Sequence, residues 1–103
     1  VLQYRIIVDG RVQGVGFRYF VQMEADKQKL TGWVKNRDNG TVEIRAEGPE
    51  ESLKQFLKAV QKGSPFSRVT DVTVEETKQL DGYQKFNISY YFFVSLDFFR
   101  EIL

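Results

Sequence analysis

The chain has 103 residues, enough for one domain with one core, and its 15 Lys plus Arg against 14 Asp plus Glu leave a formal charge of +1. A balance this close argues against binding nucleic acid by bulk electrostatics. There is no cysteine and no histidine, which removes the thiolate nucleophile, the disulfide, the imidazole base and the commonest metal ligands; chemistry near neutral pH then rests on positioning and fixed charge, unless a carboxylate or lysine is strongly shifted.

Leu2, Tyr4, Ile6 and Val8 alternate with Gln3, Arg5, Ile7 and Asp9, which predicts a strand with one buried face. A loop carrying Gly10, Gly14 and Gly16 follows and opens a helix whose first turn holds Arg18. Loop N–H groups, a helix N-terminus and one guanidinium together make a seat for a phosphate. In the helix, Phe17, Phe20, Val21 and Ala25 recur at helical spacing, and Gly32 reads as the end of that unit. A second strand is expected from Trp33 to Asn36, then a tight turn at Asp38-Asn39-Gly40. A third is expected over residues 41–47, with Val42, Ile44 and Ala46 on one side and Thr41, Glu43 and Arg45 on the other.

Pro49 with Glu50 and Glu51 starts a second helix, Leu53, Phe56, Leu57 and Val60 form its apolar stripe, and Gly63 and Pro65 stop it. A fourth strand is expected at about residues 69–78, with Val72 and Val74 inward. After a turn at Asp81-Gly82, a fifth is expected at about residues 85–90, with Phe86, Ile88 and Tyr90 alternating. No segment approaches the about 18 apolar residues of a membrane span, and no basic-then-apolar leader is visible; the expectation is a soluble, cytoplasmic domain.

This order predicts an α+β, ferredoxin-like split βαβ sandwich: an antiparallel sheet with two helices on one face. The outward Glu43, Arg45, Asp71 and Glu75 fit a second face left in water. Such a fold hosts many unrelated activities, so function must be read from the site.

Each site feature has an ordinary structural explanation when taken alone. A glycine loop between strand and helix is commonly only a tight turn, and neither the Walker nor the dinucleotide glycine pattern fits this one. Arg18 alone reads as a solvated helix residue, and Asn36 as a turn residue. Gln13 reads either as a cradle side chain or as a polar loop residue, and Trp33 as core.

Two stretches jointly carry more. Gly10-Arg-Val-Gln-Gly-Val-Gly-Phe-Arg18 resembles the first signature of the acylphosphatase family, and Gly32-Trp-Val-Lys-Asn36 followed by Gly40-Thr-Val42 and Gly48 resembles its second. The resemblance covers about residues 2–91. It implies a small enzyme that hydrolyses the carboxyl–phosphate bond of acyl phosphates without cofactor or metal. By motif position it implies Arg18 and Asn36 as catalytic residues, and a phosphate cradle made of Gly10, Gln13, Gly14, Val15, Gly16, Phe17 and Arg18.

Acyl phosphates suit a chain without histidine, because a carboxylate leaves without being protonated. What remains is to bind the phosphoryl dianion, stabilise its equatorial oxygens and align a water. The implied partners are an acyl phosphate substrate and inorganic phosphate as product or inhibitor, with no nucleic acid, no membrane and a monomeric unit. The competing reading is a non-enzymatic ferredoxin-like module that binds a ligand or RNA. Against RNA, the third strand presents Thr41, Glu43 and Arg45 outward, with no aromatic to stack a base.

Relatives of this kind end near Phe86-Asn-Ile-Ser-Tyr90, whereas this chain continues. The reading therefore divides it into a domain over 1–91 and an apolar tail over 92–103. Residues 90–94 are aromatic, uncharged and without proline, a profile that favours extended pairing if exposed. The tail is expected to pack or tether, and its deletion to leave catalysis little changed.

Overall fold

A computed structural model describes residues 1–90 of the chain; the tail assigned to residues 92–103 lies outside the described residues. The elements are β1 (Leu2–Arg11), α1 (Phe17–Lys27), β2 (Thr31–Asn36), β3 (Val42–Gly48), α2 (Glu50–Lys62), β4 (Arg68–Thr77) and β5 (Phe86–Ser89). They build one five-stranded sheet in the order β4-β1-β3-β2-β5. The expected ferredoxin-like α+β architecture is present, with one addition. Neighbouring strands run antiparallel except that β5 pairs with β2 in parallel, which makes the sheet mixed.

Alternation decides which face is covered. Tyr4, Ile6 and Val8 of β1 stand opposite Ala46, Ile44 and Val42 of β3, and all six are buried. The helices close this face with their own stripes: Phe17, Val21 and Ala25 from α1, and Leu53, Phe56 and Val60 from α2. Burying each large apolar side chain here contributes about 1.5–3 kcal/mol. Phe56 of α2 meets Phe86 of β5 edge-on with ring centroids 6.2 Å apart, tying the short edge strand to the core.

Two element boundaries differ from the sequence reading. Helix α1 ends at Lys27, with Gln28 as its cap and Lys29 in the left-handed region at φ 56°. Gly32 does not end that unit; it sits inside β2, where a side chain would run into the carbonyl oxygen of Arg45 on β3. A glycine at such a close backbone approach looks like a breaker in sequence and is a strand residue in space. On the edge strand β4, Val74 is exposed rather than buried. It pairs with Ile6 on β1, and among the described residues no strand pairs with β4 on its outer side.

The second face of the sheet is not simply left in water. Strands β4 and β5 lie on opposite edges, so their connection must cross the sheet. It does so over the face opposite the helices, and Glu47 on β3 holds it. Glu47 accepts hydrogen bonds from the backbone N–H of Asp81 at 2.6 Å and of Gly82 at 3.1 Å, and from Nε2 of Gln3 at 2.6 Å. Tyr83 donates to Asp81 at 2.9 Å and accepts from the indole of Trp33 at 2.9 Å. Gln3 and Glu47 are consequently buried, and Glu43 is buried beside them. Glu43 lies between Arg5 at 3.0 Å and Arg45 at 3.7 Å.

Candidate active site

The topology brings three strand ends together. β1 and β2 both run antiparallel to β3, and β5 runs parallel to β2. The carboxyl ends of β1, β2 and β5 therefore face the same way. The loop after β1 opens α1 at that end, and Asn36 is the last residue of β2 there. Asn36 pairs with Val42, whose own partner is the buried Val8, so its side chain belongs to the helix-covered face.

A cavity of about 170 Å³ opens at this junction, lined by the glycine loop, the first turn of α1, Asn36, Ile88 and Tyr90. This is far above the about 10–15 Å³ that one water needs. Gly14 and Gly16 both line it with left-handed backbones, φ 73° and 76°, a conformation that costs glycine nothing. Gly16 is the N-cap of α1, with no side-chain cap and no acidic residue in the first turn. The first intrahelical bond runs from Phe20 N–H to Gly16 O at 3.1 Å, so the N–H groups ahead of it have no helical partner.

Arg18 stands in that first turn and lines the cavity. Its Nη1 donates to the carbonyl of Ser89 on β5 at 3.3 Å, and its guanidinium lies 5.0 Å from the centroid of the Tyr90 ring. The carbonyl and the ring orient the fork, while a guanidinium carries five N–H donors in all. At the same cavity, the side-chain oxygen Oδ1 of Asn36 is buried and has no hydrogen-bond partner among the described residues. A buried acceptor left open on a cavity wall is a place for a hydrogen-bond donor to arrive.

Of the residues singled out in the sequence, Gly14, Gly16, Phe17, Arg18 and Asn36 surround this one cavity. Phe17 also belongs to the core. Gly10, Gln13 and Val15 do not line it. Gly10 lies in β1, opposite Val69 beside an irregularity of the β1–β4 ladder. Val15 packs partly on the core. Gln13 turns its amide toward the β2–β3 turn, donating from Nε2 to the carbonyls of Arg37 at 2.8 Å and Thr41 at 2.9 Å. Val12, Tyr19, Ile88 and Tyr90 complete the wall and were not singled out as site residues. Alternation marked Ile88 and Tyr90 as one face of a strand, but the pairing of β5 beside β2 alone takes that face to the cavity.

Among the described residues, no group of three or more Asp, Glu, His or Cys is placed to hold a metal ion. No helix there is long and apolar enough to cross a membrane.

Comparison with known proteins bears on the same residues. The acylphosphatase family model matches residues 4–88. An acylphosphatase of Bacillus licheniformis is 89% identical over 90 residues, which is 87% of this chain and 100% of that protein. The crystal structure of acylphosphatase from Bacillus subtilis superimposes with a TM-score of 0.86 at 70% identity, over 87% of this chain and 100% of that one. An acylphosphatase structure from Coxiella burnetii does so at 0.80 with 36% identity, over 84% of this chain and 90% of that one. A family match across nearly the whole of the described fold, joined by relatives matched over nine-tenths or more of their own length, leaves one conclusion: the chain belongs to the acylphosphatase family.

Proposed function

We propose that this acylphosphatase hydrolyses its substrate by in-line attack of water on phosphorus, with Arg18 binding the phosphoryl group and Asn36 holding the water. The observation that carries the reading is the convergence of a half-committed guanidinium and an open buried amide oxygen on one cavity floored by left-handed glycines.

In this mechanism the phosphoryl dianion sits on the N–H groups of the loop and of the first turn of α1. Two of its oxygens take the remaining donors of Arg18, a bidentate geometry that lysine cannot supply. These charges are fixed before substrate arrives, so they stabilise the equatorial oxygens in the transition state at no cost in reorganisation. Asn36 Oδ1 accepts one hydrogen of the water and thereby aims its lone pair at phosphorus. As the new P–O bond forms, the bond to the acyl oxygen breaks and its electron pair leaves with the carboxylate. An amide is not a base, so the water's proton passes late to a phosphoryl oxygen of the substrate. The products are a carboxylate and inorganic phosphate, and phosphate competes for the same seat.

The rest of the reading is a monomeric, cytoplasmic enzyme acting on small acyl phosphates without metal. The test follows benzoyl phosphate by its loss of ultraviolet absorbance, beside an ordinary phosphate monoester. Arg18→Ala is expected to lower kcat/KM for the acyl phosphate at least about 100-fold, and Arg18→Lys to recover little of it. The monoester should turn over poorly in every variant, since its alkoxide leaves badly without a proton donor. Near-normal turnover by a folded Arg18→Ala would place the phosphate elsewhere.

A further inference from the structure

We propose that Gln13 is a positioning residue, which sets the distance between the phosphate seat and Asn36 by bolting the glycine loop to the β2–β3 turn. The proposal rests on the role given above to Asn36 and goes beyond it.

Gln13 lies between Val12 and Gly14, both on the cavity wall. Its amide has two N–H donors. One oxygen acceptor is the carbonyl of Arg37 at 2.8 Å and the other is the carbonyl of Thr41 at 2.9 Å. Arg37 directly follows Asn36, and Thr41 directly precedes Val42, the partner of Asn36 across the β2–β3 ladder. One side chain thus grips both strands of the hairpin one residue away from the pair that contains Asn36.

The turn so gripped is already stiff. Arg37 N–H donates to Thr41 O at 2.9 Å, and Gly40 N–H to Arg37 O at 3.2 Å. Asn39 Oδ1 accepts from the N–H of Thr41 at 3.1 Å and from its hydroxyl at 2.6 Å. A bond to a stiff turn transmits position, whereas a bond to a loose one would only follow it. Among the described residues, no other hydrogen bond joins loop residues 12–16 to this turn. The loop carries the seat, and the strand that enters the turn ends on the water-holding amide, so Gln13 is the polar tie across which their spacing is defined. In-line attack tolerates little error in that spacing, since a misplacement of about 1 Å costs on the order of 100-fold.

The geometry separates this role from direct phosphate binding. A Gln13 that bound phosphate would alter substrate and phosphate affinity; one that sets the position of Asn36 alters kcat. Gln13→Leu removes both donors at similar volume. It is expected to lower kcat about tenfold while leaving inhibition by inorganic phosphate within about twofold. In an Asn36→Ala background the same substitution is expected to change kcat by less than about twofold, because the group it positions is gone.

Gln13→Glu serves where Gln13→Leu does not fold. A carboxylate facing two carbonyl oxygens is repelled, and its protonated form restores one donor. Its kcat relative to the wild type is therefore expected to rise as pH falls from about 8 to about 5. A parallel loss of phosphate affinity, a full tenfold effect persisting without Asn36, or a Gln13→Glu profile that tracks the wild type would each overturn the proposal. If Asn36→Ala lowers kcat while Gln13→Leu does not, this inference alone fails. If Asn36→Ala is itself without effect on kcat, the role given to Asn36 fails with it.

Discussion

In the proposed mechanism, Arg18 and Asn36 divide the work according to what their side chains can offer. The guanidinium is a fixed cation with a planar fork, already oriented by Ser89 O and the Tyr90 ring, so it acts on ground state and transition state alike. The amide of Asn36 is neutral, and its buried oxygen has no partner among the described residues. The role proposed for it is to give direction to an incoming water rather than to hold an anion. Asn36→Ala is accordingly expected to depress kcat on the order of 100-fold while inhibition by inorganic phosphate stays nearly unchanged. Steady-state rates with added phosphate decide the point, and an equal loss of phosphate affinity would move Asn36 into the cradle.

The β4–β5 connection is where an element outside the cavity most affects the whole fold. It carries the chain from one edge of the sheet to the other and delivers β5, the strand that holds Arg18. Glu47 anchors it through two backbone N–H groups and Gln3. Glu47→Ala is expected to cost about 1–3 kcal/mol, read as a lower urea midpoint with an unchanged slope. Asp81 adds a pH dependence. Hydrogen bonds donated by Gln3 and then Tyr83 hold its carboxyl below the usual carboxylate range. The unfolded chain then binds its proton more readily than the native one. The stabilisation is present above the ordinary Asp value of about 3.9 and is lost as pH falls through the lower native value. Asp81→Asn should flatten the acid limb of stability, and a limb identical to the wild type's would show that the carboxylate adds nothing.

This same connection marks the limit of what the sequence displays. The faces of β1, α1, β3 and α2 were legible because each packs against the core with its own period, as Tyr4, Ile6 and Val8 or Leu53, Phe56 and Val60 do. Glu43 read as solvated because Arg5, which pairs it, is far away in sequence, and nothing local marks Gln3 and Glu47 as the anchors of a distant connection. The candidate site divides similarly. Arg18 and Asn36 stood out through motif spacing within a short stretch, whereas Ile88 and Tyr90 reach the cavity only through long-range strand pairing. Gln13 stood out as a residue, but the turn of its amide toward the Arg37 and Thr41 carbonyls depends on tertiary structure.

At the scale of the whole molecule, the fold does one thing for the chemistry. It aligns the carboxyl ends of β1, β2 and β5, so that a loop, a helix N-terminus and an amide meet around one small cavity. With no histidine or cysteine in the chain, the account assigns catalysis to placing a phosphoryl group and a water in line. Its central claim is that water attacks phosphorus and the carboxylate departs with its own oxygens. The most direct test is to hydrolyse an acyl phosphate with the enzyme in water enriched in the heavy oxygen isotope, and to weigh both products by mass spectrometry. The account predicts a single labelled oxygen in the inorganic phosphate and none in the carboxylate; label in the carboxylate would mean attack at the acyl carbon and would contradict it.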